Sequence, residues 1–571
     1  MKRIIFLFCT IYSTFCYGQK ELFQSFNIQS SLVVEGKVIA SSSNFRANGD
    51  IVTNYIVETT QTLKGDTNTH ITVQVLGGQV DGHFQIVSHR TKLKNGDFGL
   101  FFLKKNSNNS NYFFKEKDFF INYDKLDRQD IIELNKSILE IFPDFEVITH
   151  SENPYKPNNA ENGVITSVLP QEISAGIGSD LTISGSGFGN QQGTVGFLTP
   201  DDGGRSYTHT YYNIKSWTDT KIIVTVPSDA GSGRIKLKLP NQTTILAPLQ
   251  TSINIPYARF NLTSTAYGDS LSLPLRHIGA MPNGINPPTS AHLTNGAYYF
   301  KMGPNFYNNE SARTIFLKYL DQWTCKTGIN FVYDGVLTLE DEVSGLLNEV
   351  KFSNFDENGY GGAAFTSISG LYTCPSSTSN PDPETITAIV TEIDFMYDSE
   401  INWGYETVSS NEFDFSFTTA HEIGHAVFFG HVIDINSLMH YAGGNGDRNL
   451  EEISEPFISA GITGVSESIS QYLCGDPITF SSCFTLSKKR TQIKNDISVT
   501  NSGSIIRVKT SSIGKIKHIY VYDLSGKVIL EIPLKSSLSD YSFDLSPSGN
   551  QMYLLKVLFS DEIVYTTKLI V

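Results

Sequence analysis

Short alternating apolar runs broken by Gly- and Pro-rich turns predict all-β modules, and one histidine-bearing helical pattern predicts a different segment in their midst. The fold class that follows is a multidomain chain in which all-β barrels or sandwiches flank a single α+β segment. Length sets the scale, because 571 residues exceed what one hydrophobic core holds, and three to five domains are expected. Hydrophobic residues at 40% and charged residues at 18% suit folded, β-rich, secreted domains rather than a disordered chain. With 43 basic and 58 acidic residues the formal charge is −15, which argues against nucleic acid as a partner. Beyond the N-terminus no apolar run reaches membrane-spanning length, so no transmembrane segment is expected.

The N-terminus points to export. Lys2 and Arg3 precede the apolar stretch IIFLFCTIYSTF, and Cys16 and Gly18 stand three and one positions before a cut at Gln19. Residues 1–18 therefore read as a signal peptide, and the location as secreted or bacterial cell surface. Phe15, where a lipoprotein needs a small residue, argues against lipid attachment at Cys16. The mature chain keeps Cys325, Cys374, Cys474 and Cys483, disulfide candidates in an oxidising compartment. Cys474 with Cys483 would close a short loop and leave Cys325 for Cys374, a pairing that the sequence leaves open.

Residues 19–150 carry the strand-like runs SLVVEGKVIA, NYIVETTQTL, HITVQVLGG and FGLFFL, then the helical pattern DRQDIIELNKSILEIF ending near Pro143. A small β-barrel or sandwich without chemistry is expected, in the position of a pro-segment. SENPYKPNNAENG reads as a linker. Residues 160–256 hold about seven short strands with Gly at the turns, the pattern of an immunoglobulin-like sandwich. Their glycine run is not a phosphate loop, since strands stand on both sides and no helix follows. Residues 495–571 alternate strongly and read as a further sandwich.

Two of these modules resemble known families. Pro170, the run Gly185-Ser186-Gly187-Phe188-Gly189, and Trp217 ahead of IIVTVP resemble the IPT/TIG domains, which implies a spacer or binding module without catalytic residues. VYDLSGKV, YLLKV and the terminal Lys568-Leu569-Ile570-Val571 resemble the C-terminal sorting domain of type IX secretion substrates. That resemblance implies recognition by outer-membrane secretion machinery, after which the domain is removed or exchanged for a surface anchor.

The chemistry is expected in residues 257–485, in FDFSFTTAHEIGHAVFFGHVIDINSLMHY. His421 and His425 are four apart, about 40° from each other on one helical face, and both can reach one Zn²⁺ at about 2.0–2.1 Å. Glu422 lies beside the first ligand without ligating. His431 follows six residues after His425, about 240° round a continuing helix, and joins only if the chain turns back, for which Gly430 offers a place.

Elsewhere in the segment, apolar positions at Ala312, Ile315, Phe316, Tyr319, Leu320 and Trp323 have helical spacing, and GINFVYDG follows as a strand. NEVKFSNFDENGYGGAAFTS is expected to give an edge strand along which an extended peptide binds by backbone hydrogen bonds. TAIVTEIDFMYD reads as another strand, whose Glu392 and Asp394 face solvent more readily than they bind a structural Ca²⁺. His277 and His292 read as surface histidines.

These residues resemble the metzincin metalloproteases, above all their matrixin-like members, whose pattern is H-E-x-x-H-x-x-G-x-x-H followed by a Met-turn. His421, Glu422, His425 and His431 match position for position, and Met439 in SLMHY matches the Met-turn. Phe428 stands where the family has glycine, so either the turn is built differently or Phe428 bears strain. Tyr441, two residues past Met439, has the astacin spacing for a tyrosine that ligates zinc or stabilises the transition state. Val432, where astacins carry Glu, weighs against this, and a rim tyrosine is the equal alternative. His440 reads as a turn residue, since catalytic zinc keeps one position open.

The resemblance implies an α+β metzincin-like catalytic domain with one catalytic Zn²⁺, acting as an endopeptidase on protein or peptide substrates. Glu422 would serve as general base, then general acid. The competing expectation is a surface adhesin with a structural or degenerate metal site. Matrixins often use a pro-segment cysteine for latency, but this mature chain has none before Cys325, leaving a carboxylate, steric blocking by the N-terminal unit, or no latency at all.

Overall fold

A computed structural model describes residues 24–570 apart from 107–110, 116–118, 124–127, 144–162, 242, 264–271, 281–292, 339–346, 372–387, 444–445, 449–451, 471–475, 482, 484–496, 503, 511–515, 523–527, 546–551 and 560–563. The signal-peptide reading, His292, Cys374 and Cys474 lie outside the described residues. Cys325 and Cys483 are each disulfide-bonded. The chain divides into two compact units, Met1–Ser481 and Ser482–Val571. Among the described residues, no helix is long and apolar enough to cross a membrane.

In the first unit, the N-terminal strands Leu32–Phe45, Ile51–Lys64, His70–Leu76 and Phe98–Lys105 join a six-stranded sheet. It closes over a core that includes Val33, Val57, Val73, Phe101 and Leu103. Residues Val164–Leu246 build two four-stranded sheets, whose inward alternation packs Ile183, Phe197, Ile222, Val224 and Leu237 into one sandwich core.

The fold class expected for the middle of the chain needs correction. Among the described residues strand far outweighs helix, and no separate α+β domain stands between all-β neighbours. Instead the central strands Ala297–Met302, Asn348–Ser353, Ala388–Asp398 and Ala364–Leu371 belong to a ten-stranded sheet that also takes His83–Val87 and Gly78–Val80 from the N-terminal segment. The reason is edge burial. Ala364–Leu371 is antiparallel to its inner neighbour and buried along nearly its whole length, so a bare outer edge would leave backbone groups unpaired against an apolar face. His83–Val87 covers it in antiparallel register, Val87 opposite Ser367 and His83 opposite Leu371. Phe84 is fully buried in the central core. Gly370 permits this approach, because a Cβ there would come within 2.0 Å of the Ile389 carbonyl oxygen and 2.7 Å of the Phe84 ring.

Three helices line the other side of the site. Glu310–Thr327 is capped by Asn309, whose side chain accepts from the Ala312 amide, and it buries the six apolar positions that its spacing predicted. Trp323 Nε1 donates 2.9 Å to the Ala420 carbonyl, tying this helix to Phe415–Ala426, which carries the motif. The third helix, Glu455–Ser470, sets Glu467 against Arg259 at 2.9 Å.

The second unit is a sandwich in its own right. Ile497–Ser502, Ile505–Thr510 and Asp540–Asp544 make one sheet, and Ile516–Tyr522, Val528–Leu538, Met552–Phe559 and Val564–Ile570 the other. Its core takes alternate residues such as Ile506, Val508, Ile519, Val521, Leu555 and Val557.

Candidate metal centre

The motif helix starts at an Asp414 cap, whose carboxylate accepts from the Phe417 amide at 2.9 Å. It stops at Ala426 because Phe428 adopts φ +70° and its amide turns back to the His425 carbonyl at 2.8 Å. The bend expected at Gly430 is therefore made at Phe428. Gly430 instead lies in a short extended pairing opposite Ala258. Phe428 is 1% exposed, and its ring stacks at 3.8 Å and 12° on His277. That stack also corrects the surface reading of His277, which is 1% exposed and kept neutral, first by burial and then by Arg259 and Arg276.

The turn delivers His431 to the other two histidines. The ring centroids of His421 and His425 are 4.5 Å apart, and those of His425 and His431 4.9 Å. All three rings are buried. Each is oriented through Nδ1, which lies 2.7 Å from the Leu438 carbonyl for His421, 2.7 Å from the Phe429 carbonyl for His425, and 2.6 Å from Asp201 Oδ1 for His431. Acceptors at Nδ1 put the proton there and leave Nε2 as the ligating atom. Nε2 of His421 and of His425 has no hydrogen-bond partner among the described residues, as expected of nitrogens meant for an ion. Burial, reinforced by His425 and His89, holds the His421 pKa well below the ordinary imidazole range, and burial lowers that of His425 to about 4. Both rings are thus neutral, the form that binds a cation.

A fourth histidine completes the group. His89, His421, His425 and His431 each offer a ring nitrogen, and these nitrogens all lie within 4.8 Å of one another. A tetrahedral ion with bonds of about 2.0–2.1 Å spaces its ligands by about 3.4 Å, so small side-chain adjustments bring the four onto one ion. The cluster can bind a metal ion. His89 follows the strand His83–Val87, within a unit expected to hold no chemistry.

Glu422 is 1% exposed and fully engaged. Its Oε1 lies 3.0 Å from His89 Nε2, and Oε2 accepts from Ser88 Oγ at 3.0 Å and Thr366 Oγ1 at 2.7 Å. Beneath the cluster, Met439 is fully buried and packs on the helix at Gly424, where a Cβ would sit 2.5 Å from Met439 Sδ. The same loop returns through Val432, whose amide donates to the Met439 carbonyl at 2.9 Å. His440 turns Nδ1 to the Ala442 carbonyl at 3.1 Å.

The sandwich contributes as well. Asp201 bridges His431 to Lys92, whose Nζ lies 2.7 Å from its Oδ2. A sandwich segment expected to serve only as spacer or binding module therefore orients a ligand. Tyr441 rests its ring beside Gly203, with the Arg205 guanidinium 6.0 Å from the ring centroid. Glu392 and Asp394 are not the solvated face expected. Asp394 is 9% exposed and accepts from the Glu349 amide at 2.9 Å. Both line a cavity of about 640 Å³ with Asp50, Glu349 and Lys351. Among the described residues only the four-histidine group has the spacing to hold a metal ion.

Comparison with known proteins adds little. No family model and no curated protein matches the chain. Among solved structures, a DUF3244 protein with an immunoglobulin-like β-sandwich fold from Bacteroides vulgatus aligns at 17% identity and TM-score 0.13, over 13% of this chain and 83% of that one. CopC from Methylosinus trichosporium OB3b aligns at 15% identity and TM-score 0.10, over 13% of this chain and 87% of that one. A structure described as with xylogluco-oligosaccharide aligns at 10% identity and TM-score 0.12, over 71% of this chain and 59% of that one. At these TM-scores the likenesses carry no assignment for this chain.

Proposed function

We propose that the chain is a secreted zinc-dependent endopeptidase. The observation that carries this reading is the placement of a buried carboxylate, Glu422, beside three buried imidazoles whose Nδ1 atoms are all held by fixed acceptors. An all-imidazole donor set suits Zn²⁺ among the available divalent ions. Bound there, zinc would act as a Lewis acid and bring the pKa of water to about 7.

The protein's own residues then have defined tasks. Once His83–Val87 is withdrawn, Ala364–Leu371 would offer a backbone edge on which an extended peptide pairs as a further strand. Thr366, on that strand, donates to Glu422 and fixes the carboxylate between edge and cluster. Glu422 takes the proton of the attacking water and returns it to the leaving amine. Asp201, Leu438 and Phe429 hold the three ligand rings in one tautomer. Export by signal peptide and by type IX machinery belongs to the same proposal, resting on the terminal sequences.

One observation favours a second reading, an adhesin with a structural ion. Four histidines close a coordination sphere, and closed spheres are characteristic of structural sites. Casein digestion by the zinc-loaded chain, with and without chelator, and by Glu422→Gln decides between them. The peptidase reading expects cleavage that chelator abolishes, with Glu422→Gln keeping its metal and losing at least about 10²-fold in rate, the scale of a lost general base. Full activity in Glu422→Gln would overturn it.

A further inference from the structure

We infer that the N-terminal segment is a tethered inhibitor of this centre, with the strand His83–Val87 filling the peptide edge and His89 filling the position that the reaction needs open. The inference rests on the peptidase reading and gives that site its regulation.

Three sets of contacts converge on it. First, the strand pairs with Ala364–Leu371 over five residues, from His83 opposite Leu371 to Val87 opposite Ser367. The ladder runs one residue further, because the Ser88 amide donates to the Thr366 carbonyl at 3.0 Å and the Thr366 amide donates to Ser88 Oγ at 2.9 Å. A substrate adding to this edge would need the same donors and acceptors. Second, both oxygens of Glu422 are occupied by consecutive residues of the segment, Oε2 by Ser88 and Oε1 by His89. A general base so engaged has both oxygens turned to protein partners. Third, His89 brings a fourth ring nitrogen within 4.8 Å of the other three, and a four-nitrogen sphere has no vacancy for a reactant.

His89 also differs from its companions in ways that suit a removable ligand. Its backbone is left-handed at φ +56°, sparsely populated even for histidine. Its side chain is 15% exposed, against 3% for His431, so it stands on the solvent side of the cluster. Lys92 fastens the same segment from outside through Asp201. Withdrawal of this one strand would free the edge, the base and the fourth position together.

The test uses the full chain loaded with Co²⁺, whose visible spectrum reports its ligands, and acetohydroxamate as the probe of an open position. Wild type is compared with His89→Ala and with His89→Asn, since asparagine tolerates the left-handed backbone. If the open state is at most one molecule in ten in wild type, both variants bind acetohydroxamate roughly tenfold or more tightly. Both should also digest casein roughly tenfold or more faster than wild type when loaded with zinc. Variants that bind the probe tightly yet leave casein intact uphold the closed fourth position and defeat the peptidase reading. Equal probe affinity in all three proteins overturns the inference, whatever casein shows. Loss of metal from both variants overturns it too, because His89 would then be an indispensable ligand rather than a displaceable one.

Discussion

A glycine in place of Phe428 should weaken this protein. Phe428 holds φ +70°, a conformation that costs a non-glycine residue about 1–2 kcal/mol. Glycine would remove that cost but lose about 0.4–1 kcal/mol to the freedom of its unfolded chain. The net backbone gain is therefore about 1 kcal/mol or less. Against it stands the ring, 1% exposed and stacked at 3.8 Å on the buried His277. Emptying such an aromatic site costs about 3–5 kcal/mol. Phe428→Gly should thus be destabilised by about 2–4 kcal/mol, and Phe428→Ala, which loses the ring and keeps the strain, by about 3–5 kcal/mol.

Urea unfolding followed by tryptophan fluorescence measures both, since Trp323 and Trp403 belong to the same core as Phe428. Ala and Gly variants share the cavity, so the difference between them isolates the backbone term. Wild-type stability in Phe428→Gly would refute the packing argument. Ala no less stable than Gly would refute the strain argument. His431 follows this turn by three residues, so both variants should also bind metal more weakly, which titration against a chromophoric chelator reads.

Two further outcomes are expected. Asp201→Ala removes the acceptor that orients His431 and should weaken metal binding about 10–100-fold; an unchanged dissociation constant in chelator competition would show that His431 is held without it. The acidic cavity sets a pH dependence, because burial, followed by the charges of Asp50 and Glu349, raises the Glu392 pKa to about 8, and burial with Glu392 raises that of Asp394. Groups with raised folded pKa values give stability that is complete below their unfolded values and lost as pH rises through the folded ones. The thermal midpoint should therefore fall between pH 5 and pH 9 by more in wild type than in Glu392→Gln, with Lys351 common to both; parallel profiles would remove Glu392 from the account.

Features set by nearby residues were legible in the sequence. The helix Glu310–Thr327 followed from apolar spacing that survives in its buried face, and His421 with His425 followed from one helical turn. What the sequence hid is long-range. His89 contacts Glu422 across more than three hundred residues, and only strand pairing brings it there. Its one local signal is FQIVSH, an alternating run ending in a histidine, too common to mark a ligand. Asp201 lies in TPDDGG, which folds as a short 3-10 helix over Pro200–Asp202 and carries no local mark of a ligand's partner. Gly430 was the obvious place for a bend, yet pairing with Ala258 claimed it and moved the left-handed residue to Phe428. His277 looked exposed because nothing local revealed the aromatic ring that covers it. The fold class was misread for a related reason: an edge strand's partner can come from any distance along the chain, and here it came from the N-terminal unit.

A closed four-histidine sphere taken alone describes a structural ion, and the argument for chemistry turns on Glu422. A carboxylate 1% exposed is costly to bury unless its partners compensate, and an ion held only for stability draws from it no more than the orientation of His89. Its partners divide unequally. Thr366 belongs to the edge strand and stays, whereas Ser88 and His89 are neighbours just past a strand joined to the sheet from far upstream. Their departure would leave a carboxylate still anchored through one oxygen by Thr366, with its other oxygen facing the position His89 had filled. The two residues that block the base also block the edge and the ion, so a single displacement has three effects that catalysis needs together. A structural site gains nothing from that coincidence. It would be better served by a fourth ligand from the helix or its loop, where His440 was at hand and instead faces the Ala442 carbonyl.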